Sequence, residues 1–92
     1  MARLFNRAAV TVSSTEILIV AANTKRRYLC IQQTSANAVR VGASGVTATT
    51  GIKLIQNATL VFDGANVPTD AIYAIRDGAT DGTVVAIEIA ES

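Results

Sequence analysis

Few residues in this chain could do chemistry, and their types limit what that chemistry could be. Among 92 residues there is no histidine and a single cysteine, with seven acids and eight basic side chains. Cys30 would need a neighbouring base to act as a nucleophile, and imidazole is missing. It lies in the run Tyr28-Leu29-Cys30-Ile31 and reads as a small buried hydrophobe. One cysteine cannot close an intrachain disulfide, and without histidine it makes no zinc set. The acids are Glu16, Asp63, Asp70, Asp77, Asp81, Glu88 and Glu91. Three of them head Asp-Gly steps (Asp63-Gly64, Asp77-Gly78, Asp81-Gly82), which turns use to reach positive φ. The stretch Asp77-Gly78-Ala79-Thr80-Asp81-Gly82 offers two carboxylates and a hydroxyl where calcium takes about 6–8 oxygens, so it reads as a hairpin loop. Gly42-Ala43-Ser44-Gly45 lacks the lysine and the helix of a phosphate loop. Asn57-Ala58-Thr59 has the form of a glycosylation sequon, but no secretory signal accompanies it. The expectation is a protein without catalytic residues, metal or cofactor.

Charge narrows the partners. The net charge is +1, so no strong field draws in nucleic acid or an anionic membrane. Only Lys25-Arg26-Arg27 clusters positive charge, and it reads as a strand-edge device against sheet-to-sheet association. No segment approaches the ~20 apolar residues of a membrane span, which predicts a soluble protein.

The elements that position these residues read as short strands. Half of the chain is hydrophobic but only 4% aromatic, and short β-branched side chains suit pleated surfaces. Strands are expected at residues 8–12, 15–22, 26–33, 39–42, 51–54, 58–62, 71–76 and 83–90. In the third, Leu29 and Ile31 share one face and Tyr28, Cys30 and Gln32 the other. Val39-Arg40-Val41-Gly42 alternates cleanly and is expected to close a hairpin with the third strand. Residues 43–50 are a surface loop, and Pro68 stands just before a strand, where its missing N–H does least harm. In the last strand Val85, Ile87 and Ile89 face one side and Glu88 the other. The expected fold is all-β, a single small β-sandwich or jelly-roll-like barrel of about eight short antiparallel strands over residues 8–92.

Two segments point to partners. Residues 1–7 stand outside the strand pattern as an N-terminal arm. Arg3, Leu4, Phe5 and Arg7 there have the composition of an interface hot spot, and a frayed terminus would look the same. Ile17, Leu18, Ile19 and Val20 form an unbroken apolar run, as in a strand covered on both faces. A neighbouring copy is the expected cover.

The run Arg26-Arg27-Tyr28-Leu29-Cys30-Ile31-Gln32-Gln33-Thr34-Ser35-Ala36-Asn37-Ala38-Val39-Arg40-Val41-Gly42 resembles small structural proteins of tailed bacteriophages. Gly51-Ile52-Lys53-Leu54 and Pro68-Thr69-Asp70-Ala71-Ile72-Tyr73-Ala74 continue the likeness, which covers roughly residues 24–90. It is to capsid decoration (cement) proteins and head-fibre bases. The resemblance implies a β-sandwich on the outside of a virion capsid, often a homotrimer, that clamps neighbouring major capsid protein subunits after synthesis in the host bacterial cytoplasm. A tail or fibre module that recognises a host surface glycan is the alternative, with its site in the loop 42–50, where no Tyr or Trp is present to stack on a sugar ring.

Overall fold

The computed structural model describes residues 2–91. Met1 and Ser92, the outer ends of the expected arm and of the expected domain, lie outside that range. Eight strands run in the order β1 (Ala2–Val12), β2 (Ile17–Val20), β3 (Arg26–Gln33), β4 (Val39–Gly42), β5 (Ile52–Leu54), β6 (Thr59–Asp63), β7 (Ile72–Arg76) and β8 (Gly82–Glu91). A single 3-10 turn, Gly64–Asn66, follows β6, its first N–H capped by the Asp63 carboxylate. Asp63-Gly64 therefore does the turn chemistry expected of it, with Gly64 at positive φ.

The strands form two four-stranded sheets, β1-β8-β3-β6 and β2-β7-β4-β5, with antiparallel pairing throughout. Only β4 and β5 are both consecutive and in one sheet; every other connection passes from one sheet to the other. This order is the eight-stranded jelly roll, two interleaved Greek keys closed face to face.

Alternation places the core between the sheets. Val12, Leu29, Ile31 and Val84 from one sheet meet Val20, Val39, Val41, Leu54 and Ala74 from the other, all fully or nearly fully buried. Each lies on the inner side of its strand because successive side chains point to opposite faces. Gln33 is one of three buried polar or charged residues among those described, with Arg26 and Glu88. Its amide nitrogen donates to the Leu54 carbonyl across the sheets, and its oxygen accepts from the Ser35 N–H and hydroxyl, so burial leaves it satisfied.

Several sequence expectations are corrected here. Residues 2–7 are not an arm outside the strands; they are the first half of β1, paired with β8 from Ala2↔Glu91 to Arg7↔Ala86. The segments 26–33 and 39–42 form no hairpin, because β3 and β4 lie in different sheets. The loop after β7 likewise spans the sheets and is no hairpin loop. The run at 17–20 owes its buried pair to a bulge. Leu18 opposes Tyr73 and Val20 opposes Ile72, so Ile19 is the extra residue, and both Ile19 and Val20 are buried. Ile17 and Leu18 stay partly exposed.

Candidate functional site

Glu88 organises one end of the molecule. It lies on the inner face of β8, at 1% exposure, flanked on that face by the small residues Ala86 and Ala90. Arg26, from β3, donates through Nε to its Oε1 at 2.8 Å. Arg7, from β1, donates through Nε to its Oε2 at 2.6 Å, and Asn23 Nδ2 reaches Oε1 at 3.3 Å. Burial pushes the Glu88 carboxyl up, but the hydrogen bonds and charges of Arg26 and Arg7 outweigh that and hold it below the ordinary value. The rest of the Arg26 guanidinium donates to the carbonyls of Pro68, Asp70 and Ala21. One buried guanidinium thus ties the β2–β3 and β6–β7 connections to β8, using four of its five donors.

Arg26 therefore guards no strand edge. β3 is an interior strand, between β8 and β6, and of the cluster at 25–27 only Arg27 carries an exposed ion pair, with Glu91 at 2.7 Å. Sequence reasoning missed the site because a charged residue reads as exposed. The available signal was the pair Ala86 and Ala90, small side chains in register with an acid.

The two outer sheet faces differ in kind. On the β2-β7-β4-β5 sheet, Arg40 and Lys53 stand beside each other in register. Asp77 accepts from Arg40 at 2.7 Å and lies 3.4 Å from Lys53. The Arg40 hydrogen bond, aided by Lys53, holds the Asp77 carboxyl below its ordinary value against desolvation. On the β1-β8-β3-β6 sheet, the register aligns Leu4, Ile89 and Tyr28 in one row and Ile87, Cys30 and Val61 in the next. Val85 and Gln32 form a third. Leu4 is 62% and Val61 49% exposed. Cys30 is only half-buried and faces outward among these side chains, which corrects its reading as a core residue. Asn6, bordering Ile87 on β1, adds a neutral polar group. The charged residues of this sheet's outer side, Arg27, Asp63 and Glu91, gather at the end next to Tyr28.

The last strand explains this face. Within Gly82–Glu91 burial alternates without a break, and the inward residues are Val84, Ala86, Glu88 and Ala90. The bulkier Val85, Ile87 and Ile89 take the outer side, opposite to Glu88 as expected, although they are not the core-facing set.

A second apolar surface opens at the side of the sandwich. Between β6 and the ends of β4, β5 and β7 lies a cleft of about 230 Å³ lined chiefly by Val41, Ile52, Leu60, Phe62, Pro68 and Ile72. Ile52 and Ile55 are more than half exposed nearby. β6 separates the two surfaces, with Val61 on the outer face and Leu60 and Phe62 in the cleft.

The residues singled out in the sequence are divided among these features. Arg3 and Arg7 flank the Phe5 ring, with guanidinium carbons 6.0 and 5.1 Å from its centroid, while Leu4 joins the opposite, apolar face. Ile19 and Val20 belong to the core; Ile17 and Leu18 lie on the edge strand β2. The loop after β4 is pinned by Glu16, which accepts from the Gly45 N–H at 2.7 Å and the Ser44 hydroxyl at 3.3 Å. Among the described residues no group of three or more acids and cysteine converges as a metal site, and no helix is long and apolar enough to cross a membrane. In comparison with known proteins, no family model, no curated protein and no solved structure matches the chain.

Proposed function

We propose that this chain is a virion structural protein, a capsid decoration protein that binds the outside of a bacteriophage head and stabilises neighbouring capsid subunits by repeated protein-protein contacts. The observation that carries the reading is the pair of separate apolar surfaces, the outer face of the β1-β8-β3-β6 sheet and the cleft beside β6. A lone small domain seldom leaves such surfaces bare, and they mark contact sites. Two contact surfaces on one compact module allow binding to a shell and to a neighbour at once. On a symmetric lattice, weak contacts of this kind sum through avidity. The jelly roll suits the role, since it recurs among capsid proteins, and the strand-and-turn likeness to cement proteins points the same way.

The test is the composition of purified virions from a strain that carries the gene. Quantitative mass spectrometry is expected to find the protein in head fractions, in a fixed ratio to the major capsid protein. Its absence from particles, or its presence only in tails at low copy number, would overturn the reading.

A further inference from the structure

We propose that the outer face of the β1-β8-β3-β6 sheet is a self-association surface whose occupant is a second copy of this chain, packed face to face across a twofold axis. This goes beyond the virion reading and stands or falls separately from it.

The first argument is chemical. The middle of the face consists of Leu4, Tyr28, Cys30, Val61, Val85, Ile87 and Ile89, with no charged side chain among them. Interface cores are depleted in charge in this way, with a polar rim. Asn6, Gln32, Thr59 and Thr83 form the neutral part of the rim, and Arg27, Asp63 and Glu91 the charged part. The other outer face has Leu18, Tyr73 and Ile75 but is interrupted by a charged cluster, Arg40 on β4 and Lys53 on the edge strand β5 against Asp77 just past β7, so the two sheets are not equivalent candidates.

The second argument is size. Four strands at about 4.8 Å spacing, of 11, 10, 8 and 5 residues at about 3.3 Å each, outline a footprint of roughly 540 Å². With side-chain relief added, that approaches the ~800 Å² each partner contributes to a standard interface.

The third is charge register. All three charged rim residues lie at the Tyr28 end. A twofold axis running across the strands near Ile87 and Cys30 sets that end of one copy over the neutral Gln32 and Thr83 end of the other. No like charges then oppose each other. The same operation brings Ile87 and Cys30 of the two copies together at the centre. A threefold ring would need two different complementary patches on every chain; a single flat face meets its own copy across a twofold. Lateral growth from β1 is discouraged by its arginines and by the bulge between Arg7 and Val10.

Cys30, the sole cysteine, is a built-in reporter. Its alkylation by N-ethylmaleimide depends on access to the sulfur. The experiment combines sedimentation velocity from low to high micromolar protein with the rate of Cys30 labelling. The expected mass is twice that of the chain, with labelling slowed at least about tenfold relative to monomer as the dimer fills. Ile87→Lys and, independently, Val61→Lys are expected to give folded monomers with fast labelling, folding being checked by circular dichroism. Leu18→Lys on β2 is expected to remain dimeric. The proposal is overturned by a monomer over the whole range, or by an oligomer that survives both lysines on the face. Loss of association through Leu18→Lys alone would also overturn it, and would return the interface to β2. A monomer whose Cys30 is protected only on capsids would overturn it and assign the face to the shell.

Discussion

Replacing Glu88 with glutamine keeps the shape of the side chain and removes its charge. The Arg26 side chain, fully buried, then loses its counter-charge. Breaking a buried ion pair from one side costs about 3–5 kcal/mol. Three carbonyls still accept from Arg26, which places the loss at the lower end, about 3 kcal/mol. Arg7 adds little, because its side chain is partly open to water and solvent screens it. A domain of 92 residues has about 5–14 kcal/mol to lose, so the variant remains folded at room temperature. At roughly 4–8 °C per kcal/mol for a domain of this size, the melting temperature is expected to fall by about 12–24 °C. Thermal unfolding at pH 7, followed by far-ultraviolet circular dichroism on both proteins side by side, reads this directly. A fall of less than about 3 °C would refute the assignment of Glu88 as the buried counter-ion of Arg26.

Three further outcomes follow from the same structure. The Glu88, Asp77 and Glu91 carboxyls are all held below their ordinary values. Their stabilisation is therefore complete above the unfolded carboxylate value, which is 4.5 for Glu88, and is lost as pH falls through the lower folded values. Melting temperature should be level from pH 7 to about 5 and drop below about 4.5, less steeply in Glu88→Gln, as measured by unfolding over a pH series. Gly82→Ala would place a Cβ 2.6 Å from Val39 Cγ1 and 2.9 Å from the Asn37 carbonyl oxygen. It should cost about 1–3 kcal/mol in urea unfolding, whereas Gly64→Ala, with open space around it, meets only the strain of its positive φ and should cost about 1 kcal/mol. Arg27→Ala, which breaks the exposed pair with Glu91, should shift stability by less than about 1 kcal/mol in the same assay.

Strand positions were legible in the sequence because alternation and turn residues act locally. Val39 and Val41 inward with Arg40 outward, Leu29 and Ile31 on a common face, and the turn at Asp63-Gly64 needed only neighbours a few residues away. Strand partners were not legible. The chain between β3 and β4 would serve a hairpin or a passage to the opposite sheet, and nothing local distinguishes them; the pairing is decided by which apolar faces can be closed together. The candidate site suffered from a second ambiguity. In β8 both parities are apolar, Val84, Ala86 and Ala90 against Val85, Ile87 and Ile89. Counting hydrophobic bulk selects the second set, and the structure buries the first. The inner set was identifiable only together with Arg26, whose guanidinium needs both an acid and small residues beside it. At β2 the bulge moved Ile19 and Val20 to one side, so an apolar run that suggested a cover from another molecule is half satisfied by the domain itself.

The interleaved order of the strands also sets how the chain must find its fold. β8, the last strand, lies in the middle of its sheet between β1 and β3. Until it arrives, β1 has no partner in that sheet, and β3 has only β6. Glu88 arrives with it, so Arg26 and Arg7 wait without their acid until β8 is made. Loop closure over the full length must therefore precede most of the stabilising contacts, which makes for slow, all-or-none folding. A chain made only as far as β7 holds unpaired strand edges while it waits. A ribosome-bound intermediate lacking β8 is the species to expect in association with chaperones, and the step at which faulty copies would be removed.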